Sequence, residues 1–290
     1  MSDFVNTVDI VDDNVLIDSI IDKSISGSFN DNKITGIRAG AFAYCTNLES
    51  VCFPNVTRIG PAAFRGSGLK AITPETFPLV TSTDYYYGSY VFGESALESV
   101  DWPSLTKIGD YLFFANCKSL KSVNLPNLTT FTGTRMFDGC TSLKDVNLPV
   151  ITKCPGFAGC TSLETITLPC VTNVGGQQFN NCTSLRVIDL PSCTSIGYHS
   201  VFKGSPLLDT LILRSTTMCT LSEYDNGRDD FFNFSGTGIA NGTGYIYVPA
   251  ALVDSYKVAE NWSTYANQFR ALEDYTVDGT TTGELDETKI

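Results

Sequence analysis

The feature that most constrains this chain is internal repetition. The stretch Gly139-Cys140-Thr141-Ser142-Leu143-Lys144-Asp145-Val146-Asn147-Leu148-Pro149 recurs, with small changes, through most of the 290 residues. Aligned on the leucine of Phe-x-x-Cys-x-x-Leu-x-x-Val-x-Leu-Pro, the copies fall at Leu48, Leu69, Leu97, Leu120, Leu143, Leu163, Leu185 and Leu208. Successive leucines are 21, 28, 23, 23, 20, 22 and 23 residues apart. A phenylalanine precedes each by five or six residues: Phe42, Phe64, Phe92, Phe114, Phe137, Phe157, Phe179 and Phe202. Pro54, Pro103, Pro126, Pro149, Pro169 and Pro191 each follow a leucine by six. A period of this size marks a solenoid. No single repeat can bury its own Phe, Leu and Val, and stacking the copies builds one continuous core.

Within one copy, the alternation around Val146 and Leu148 reads as a short strand with one buried face. Pro149 lacks an N–H and stops it. Val150-Ile151-Thr152 then sends apolar groups inward on the way to the next Phe. Eight such strands at the usual inter-strand spacing predict a parallel sheet about 40 Å long. Its outward columns are Ser50, Ala71, Ser99, Ser122, Asp145, Thr165, Val187 and Thr210 before the central apolar residue. Cys52, Thr73, Asp101, Asn124, Asn147, Thr167, Asp189 and Ile212 follow it. This face is small, polar and mildly acidic, without the Trp, Tyr or Arg anchors that dominate protein interfaces. Trp102, next to Asp101, points inward by alternation.

Ala41-Phe42-Ala43-Tyr44-Cys45-Thr46-Asn47-Leu48-Glu49-Ser50-Val51 and its copies resemble the BspA-like leucine-rich repeat family, whose pattern is I-x-x-x-A-F-x-x-C-x-x-L-x-x-I-x-L-P. The resemblance spans about residues 34–220 and implies an α/β-type repeat solenoid. That fold is a right-handed leucine-rich repeat coil with a parallel β-sheet on one face and caps at both ends. Members of the family are mostly bacterial surface proteins, some of them adhesins, and similar arrays occur among phage and prophage structural proteins. No catalytic residue comes with the family.

The formal charge of −12 and pI near 4.5 disfavour nucleic acid and anionic membrane surfaces, both of which call for basic patches. Of the ten cysteines, Cys45, Cys117, Cys140, Cys160 and Cys182 share one repeat position that Ser67, Ser95 and Ser205 fill in other copies. They are therefore expected as a stacked ladder of small core thiols rather than disulfides or metal ligands, in keeping with synthesis in a reducing compartment. Met1–Asp13 has no basic or apolar signal-type region, and no apolar run reaches membrane-spanning length.

The expected organisation is an N-terminal cap over 1–33, the solenoid over 34–222, a loop and strand–helix cap over 223–275, and an acidic tail over 276–290. In the first cap, Asp12 or Asp13 would start a short helix bearing Val15, Leu16, Ile20 and Ile21. In the last, Tyr245–Val248 reads as a strand and Pro249 as the first helical residue. Leu252, Tyr256, Ala259 and Trp262 follow at helical spacing, then Tyr265, Phe269 and Leu272. Trp262 and Tyr265 are expected in the core of the cap, and the tail is expected to be mobile or to order against a neighbour.

Little chemistry is on offer. His199, the one histidine, has no carboxylate at motif spacing. The pairs Asp12-Asp13 and Asp229-Asp230 read as solvated, since glycoside hydrolysis needs two carboxylates facing each other across a cleft. Asp225–Asp230 has the oxygen-rich look of a calcium loop without EF-hand spacing. Gly175-Gly176 and Gly236-Thr237-Gly238 are turns, with no Gly-Lys-Ser/Thr beside them. No catalytic, cofactor or metal site is expected.

The widest repeat carries an insertion, Thr81-Ser82-Thr83-Asp84-Tyr85-Tyr86-Tyr87-Gly88-Ser89-Tyr90. Insertions of this kind map to loops on one face, often the binding face, and Tyr with Gly and Ser suits adaptable contacts. Tyr85, Tyr86, Tyr87 and Tyr90 are the candidate partner-binding residues. The expectation is a non-enzymatic recognition or structural protein that binds a protein or cell-surface glycan, or neighbouring virion subunits. It would be virion-associated, or cytoplasmic before release. A bacterial cell-surface adhesin is the alternative, and a glycan-active enzyme the rival of a different class.

Overall fold

The computed structural model describes residues 8–11, 14–17, 23–83, 90–197, 200–222, 233–277 and 280–281, with the side chains of 8–17, 277 and 280–281 left aside. The chain forms two compact units, Met1–Leu148 and Pro149–Ile290. Each is a parallel-strand β-solenoid, and Val253–Val258 is the one α-helix among the described residues.

In the N-terminal unit the expected ladder is present. Ala71–Ile72, Ser99–Asp101, Ser122–Asn124 and Asp145–Asn147 pair in parallel and in register, so that Ser99, Ser122 and Asp145 share a column. Gly27–Asn30 pairs in parallel with Leu48–Cys52, ahead of residue 34, as a separate two-stranded sheet with a register shift between Gly27 and Ser28. The return limbs also pair. Ile34–Ile37 lies parallel to Arg58–Ile59, and Lys107–Ile108 lies between Ser82–Thr83 and Thr130–Phe131. The C-terminal unit repeats this plan. Its front sheet runs Thr165–Thr167, Val187–Asp189, Thr210–Ile212, Tyr245–Val248 and Phe269–Ala271, and its return sheet Asn173–Val174, Ser195–Ile196 and Thr220–Leu221.

Between the two ladders each repeat turns a corner around its phenylalanine. All eight repeat phenylalanines are fully buried. They stack with near-parallel rings: Phe42–Phe64 at 5.0 Å, Phe64–Phe92 at 5.2 Å and Phe114–Phe137 at 5.7 Å in the first unit, Phe157–Phe179 at 5.4 Å in the second. Phe202 continues onto Phe234 at 4.9 Å, so Phe234 takes the next place in the stack. Burying each ring contributes about 2–3 kcal/mol. Trp102 is buried as alternation predicts, 5.3 Å from Phe77.

The corner is built from left-handed backbone on both sides of the ring. Two residues before it, Ala62, Tyr90, Leu112, Arg135, Gln177 and Ser200 have φ of 52–62°. Two residues after it stand Tyr44, Glu94, Asn116 and Asn181, or glycine at 66, 139, 159, 204 and 236, all with φ of 58–77°. This geometry lets the N–H groups of each corner donate to carbonyls of the next repeat: Phe42 to Ala63, Tyr44 to Arg65, Phe92 to Phe113 and Phe179 to Val201, at 2.7–3.0 Å.

The cysteine ladder sits just past the corner. The thiols of Cys117, Cys140 and Cys182 donate to the carbonyls of Phe92, Phe114 and Phe157, each at 3.1 Å. The Ser205 hydroxyl makes the same bond to Phe179, at 2.9 Å. Ser and Cys interchange here because both are small donors. Burial pushes the Cys117 thiol up to about 11 and Cys140 well above its ordinary value. Both are protonated at neutral pH and are poor nucleophiles.

Three expectations change. The described part of the N-terminal segment is not helical. Val8–Val11 and Asn14–Ile17 are antiparallel strands, and the second pairs in parallel with Ile34–Ile37. Dense β-branched Val and Ile favour a strand here over the capped helix. Asp12, Asp13, Ile20 and Ile21 lie outside the described residues. The second change is at the other end. Pro249 precedes a 3₁₀ turn, the helix ends at Val258, and Phe269 lies on a strand. Ala259 is extended and ends the helix, and Asn261, at φ 62°, leads into a separate 3₁₀ segment, Trp262–Gln268. Trp262 and Tyr265 are core, as expected. Thirdly, Asp189 is not on the open surface. It is held in a bidentate contact by Arg214 and is mostly buried. Of the tail, the described residues are Thr276–Val277, paired antiparallel with Thr280–Thr281.

Candidate binding surface

The corner geometry decides which side chains reach solvent. Where glycine fills the position two residues past the phenylalanine, the backbone is relaxed and the surface bare. Where tyrosine fills it, the ring is carried outward at a conformational cost of about 1–2 kcal/mol. Tyr44 is such a residue, with φ 60° and 46% exposure. Its ring lies over Gly66, where a Cβ would come within 2.6 Å of Cδ1. The Tyr90 ring lies over Gly93 in the same way. Between them stands Arg65, its guanidinium 6.0 Å from the Tyr44 ring centre and 4.3 Å from that of Tyr90. Lys23 Nζ approaches the Tyr44 ring at 5.5 Å.

Glu94 holds Arg65 by a fork: Nε donates to Oε2 at 3.2 Å and Nη2 to Oε1 at 2.8 Å. This carboxylate raises the guanidinium pKa, so the cation is fixed in charge and place. The Tyr90 N–H donates to the Tyr111 carbonyl at 3.1 Å, and Tyr111 is 49% exposed. Tyr44, Arg65, Tyr90 and Tyr111 thus line one edge of the N-terminal unit. Of the four tyrosines singled out by sequence, Tyr90 is in this row; Tyr85, Tyr86 and Tyr87 lie outside the described residues. The signal that could have found Tyr44 and Arg65 was present: Tyr44 stands at a repeat position that is glycine in five copies.

The flat sheet face of the same unit is less available. Asn124 Nδ2 donates to Asp101 Oδ1 at 2.8 Å and Asn147 Nδ2 to Asn124 Oδ1 at 2.7 Å. These amides satisfy one another along the column. Lys121 and Glu98 pair across neighbouring copies at 2.8 Å.

In the C-terminal unit the face does carry anchors, because Tyr245–Val248 and Phe269–Ala271 extend the sheet. Register places Tyr245 and Tyr247 in the outward columns of Thr210 and Ile212, with Arg270 beside Tyr247. The Arg270 guanidinium lies 4.3 Å over the Tyr245 ring, and Tyr275 packs 4.8 Å from Tyr247. Burial pushes the Tyr247 and Tyr275 phenols up, so both keep their protons at neutral pH and can act as hydrogen-bond donors. Sequence reading missed this patch because 33 residues separate Ile212 from Tyr245 and break the period.

Among the described residues no three His, Cys, Asp or Glu side chains cluster as a metal site. His199 and Asp225–Asp230 lie outside the described residues. Gly236 is a left-handed turn glycine, as expected.

A sequence profile of the BspA-type leucine-rich repeat region matches in six copies, over residues 6–87, 35–155, 85–209 and 153–224. The chain belongs to the BspA-type leucine-rich repeat family. A leucine-rich repeat protein of Bacteroides ovatus ATCC 8483 is 27% identical, with a TM-score of 0.52 over 70% of this chain and 58% of that one. The chain therefore spans less than two thirds of that relative. A leucine rich cell surface protein of Faecalibacterium prausnitzii A2-165 is 24% identical, with a TM-score of 0.41 over 65% of this chain and 60% of that one. No curated protein matches. The BspA-type pattern accounts for the Phe, Leu and Cys columns but not for Tyr44, Arg65, Tyr245 or Arg270. No described helix is long and apolar enough to cross a membrane.

Proposed function

We propose that the protein is a non-enzymatic recognition module of a bacterial surface, binding a protein partner along the Tyr44–Arg65–Tyr90–Tyr111 edge, with Tyr85, Tyr86 and Tyr87 as further candidate contacts from the sequence. One observation carries the reading. Two tyrosine rings, Tyr44 and Tyr90, stand on one edge with the Arg65 guanidinium between them, and Tyr44 is exposed where other copies leave the corner bare with glycine. Tyr and Arg are the residue types that dominate binding hot spots. Rings seated on glycines and a guanidinium forked by Glu94 lose little side-chain freedom on binding. The surface location rests on what the family implies, and no observation favours a virion component.

The test is a pull-down from intact bacterial and epithelial cells, beside a glycan array, with wild type and a Tyr44→Gly/Tyr85→Ala/Tyr86→Ala/Tyr87→Ala/Tyr90→Ala variant of unchanged circular dichroism. Capture of a protein by wild type should fall at least tenfold in the variant. Equal capture would sink the assignment of this edge, and retention on glycans alone would replace the protein partner by a carbohydrate.

A further inference from the structure

Cys193 and Cys219 differ from the ladder thiols. Cys117, Cys140 and Cys182 direct their S–H at main-chain carbonyls of the neighbouring repeat. Cys193 and Cys219 instead meet each other, and the carbonyls they approach, Ser195 at 3.4 Å and Thr220 at 3.6 Å, belong to their own strands. Both are fully buried, with their sulfurs 3.8 Å apart, and they lie next to the paired return strands Ser195–Ile196 and Thr220–Leu221. The Cys219 main chain is also where the C-terminal segment is fastened. Its N–H donates to Tyr256 Oη at 2.6 Å, and its carbonyl accepts from Trp262 Nε1 at 2.7 Å.

We propose that Cys193 and Cys219 are an oxidation site that closes to a disulfide with a small-molecule disulfide as oxidant, clipping the return ladder at the point where the C-terminal segment is anchored. The steps balance as follows. Cys193 loses its proton to solvent, and its thiolate attacks one sulfur of oxidised glutathione. The glutathione S–S bond breaks and one glutathione thiolate leaves. Cys219 then loses its proton and attacks Cys193 Sγ, expelling the second glutathione thiolate. Two protein thiols are oxidised and one small disulfide is reduced to two thiols. The two sulfurs face each other symmetrically, so either thiol can make the first attack and the outcome is the same disulfide. Because both sulfurs are buried, entry of the oxidant requires local opening or takes place during folding. The bond closes a loop between residues 26 apart in sequence, which restricts the unfolded chain. The inference is independent of the binding reading, and an oxidising exterior would favour it.

The experiment uses the full chain, reduced and desalted under inert gas. One sample is incubated folded with oxidised glutathione at pH 8; another is refolded from urea in the same reagent. Both are quenched with a maleimide and mapped by mass spectrometry. The expected result is a cross-linked peptide pair containing Cys193 and Cys219, loss of two of the ten titratable thiols, and a thermal midpoint several degrees higher that falls back with dithiothreitol. Cys193→Ser and Cys219→Ser should each abolish the link, and Cys140→Ser should leave it. Glutathione adducts alone, linkage through other cysteines, or ten free thiols by both routes would overturn the proposal.

Discussion

Replacing Arg214 with methionine removes one member of the largely buried ion pair with Asp189. The two side chains are 13% and 12% exposed, and the guanidinium donates through Nε at 3.0–3.1 Å and Nη2 at 2.9 Å. Breaking such a pair strands a charge in a poorly solvated place and costs about 3–5 kcal/mol. For a unit of this size that is a fall in Tm of roughly 10–15 °C. The loss should depend on pH in a stated direction. Burial already holds the Asp189 carboxyl above its ordinary pKa despite Arg214, and without Arg214 it rises further. A carboxyl with a raised folded-state pKa contributes fully below its unfolded value and loses that contribution as pH climbs through the folded one. The Arg214→Met deficit should therefore be smallest at acid pH and grow as pH rises toward neutrality. Urea titrations of wild type and variant across that range measure the difference directly, and the remaining carboxylates cancel. A double variant, Asp189→Leu/Arg214→Met, should return to within about 1 kcal/mol of wild type. A deficit under about 1 kcal/mol at pH 7, or one that is flat with pH, would refute the reasoning.

Two further outcomes are expected. Tyr44→Gly relieves backbone strain of about 1–2 kcal/mol and loses exposed cation–ring contacts of about 0.5–1 kcal/mol each. Thermal scans should therefore move little while partner capture falls. Cys140→Ser should fold with little loss in chemical denaturation, since Ser205 makes the same bond in its own repeat, whereas Cys140→Ala should cost about 2 kcal/mol through the lost donor and the space left behind.

The buried half of the fold was legible because it repeats. Eight phenylalanines at one position required one ring per coil, and alternation alone turned Trp102 inward. The return ladder was not legible. Its strands, such as Arg58–Ile59 and Lys107–Ile108, are two residues long, too short for any periodicity to register. The left-handed corners were half visible, in the glycines before Cys140 and Cys160 and hidden behind Tyr44 and Glu94. The Arg214–Asp189 pair joins residues 25 apart on neighbouring copies, and no local pattern announces it. The surface tyrosines divide in the same way: an insertion drew attention to Tyr90, while Tyr245 and Tyr247 reached the face only through the pairing of strands far apart in sequence.

The phenylalanine stack has a consequence for size. In a globular domain the interior grows faster than the surface, so a longer chain gains buried area per residue. Inside either unit a ring meets rings of the repeats directly before and after it, as Phe64 meets Phe42, Phe77 and Phe92 in the first and Phe179 meets Phe157 and Phe202 in the second. Within either unit the cross-section of the core is therefore set by a single copy and does not thicken as copies are added. Surface and interior lengthen together, and an added copy brings the same stabilisation as the one before it.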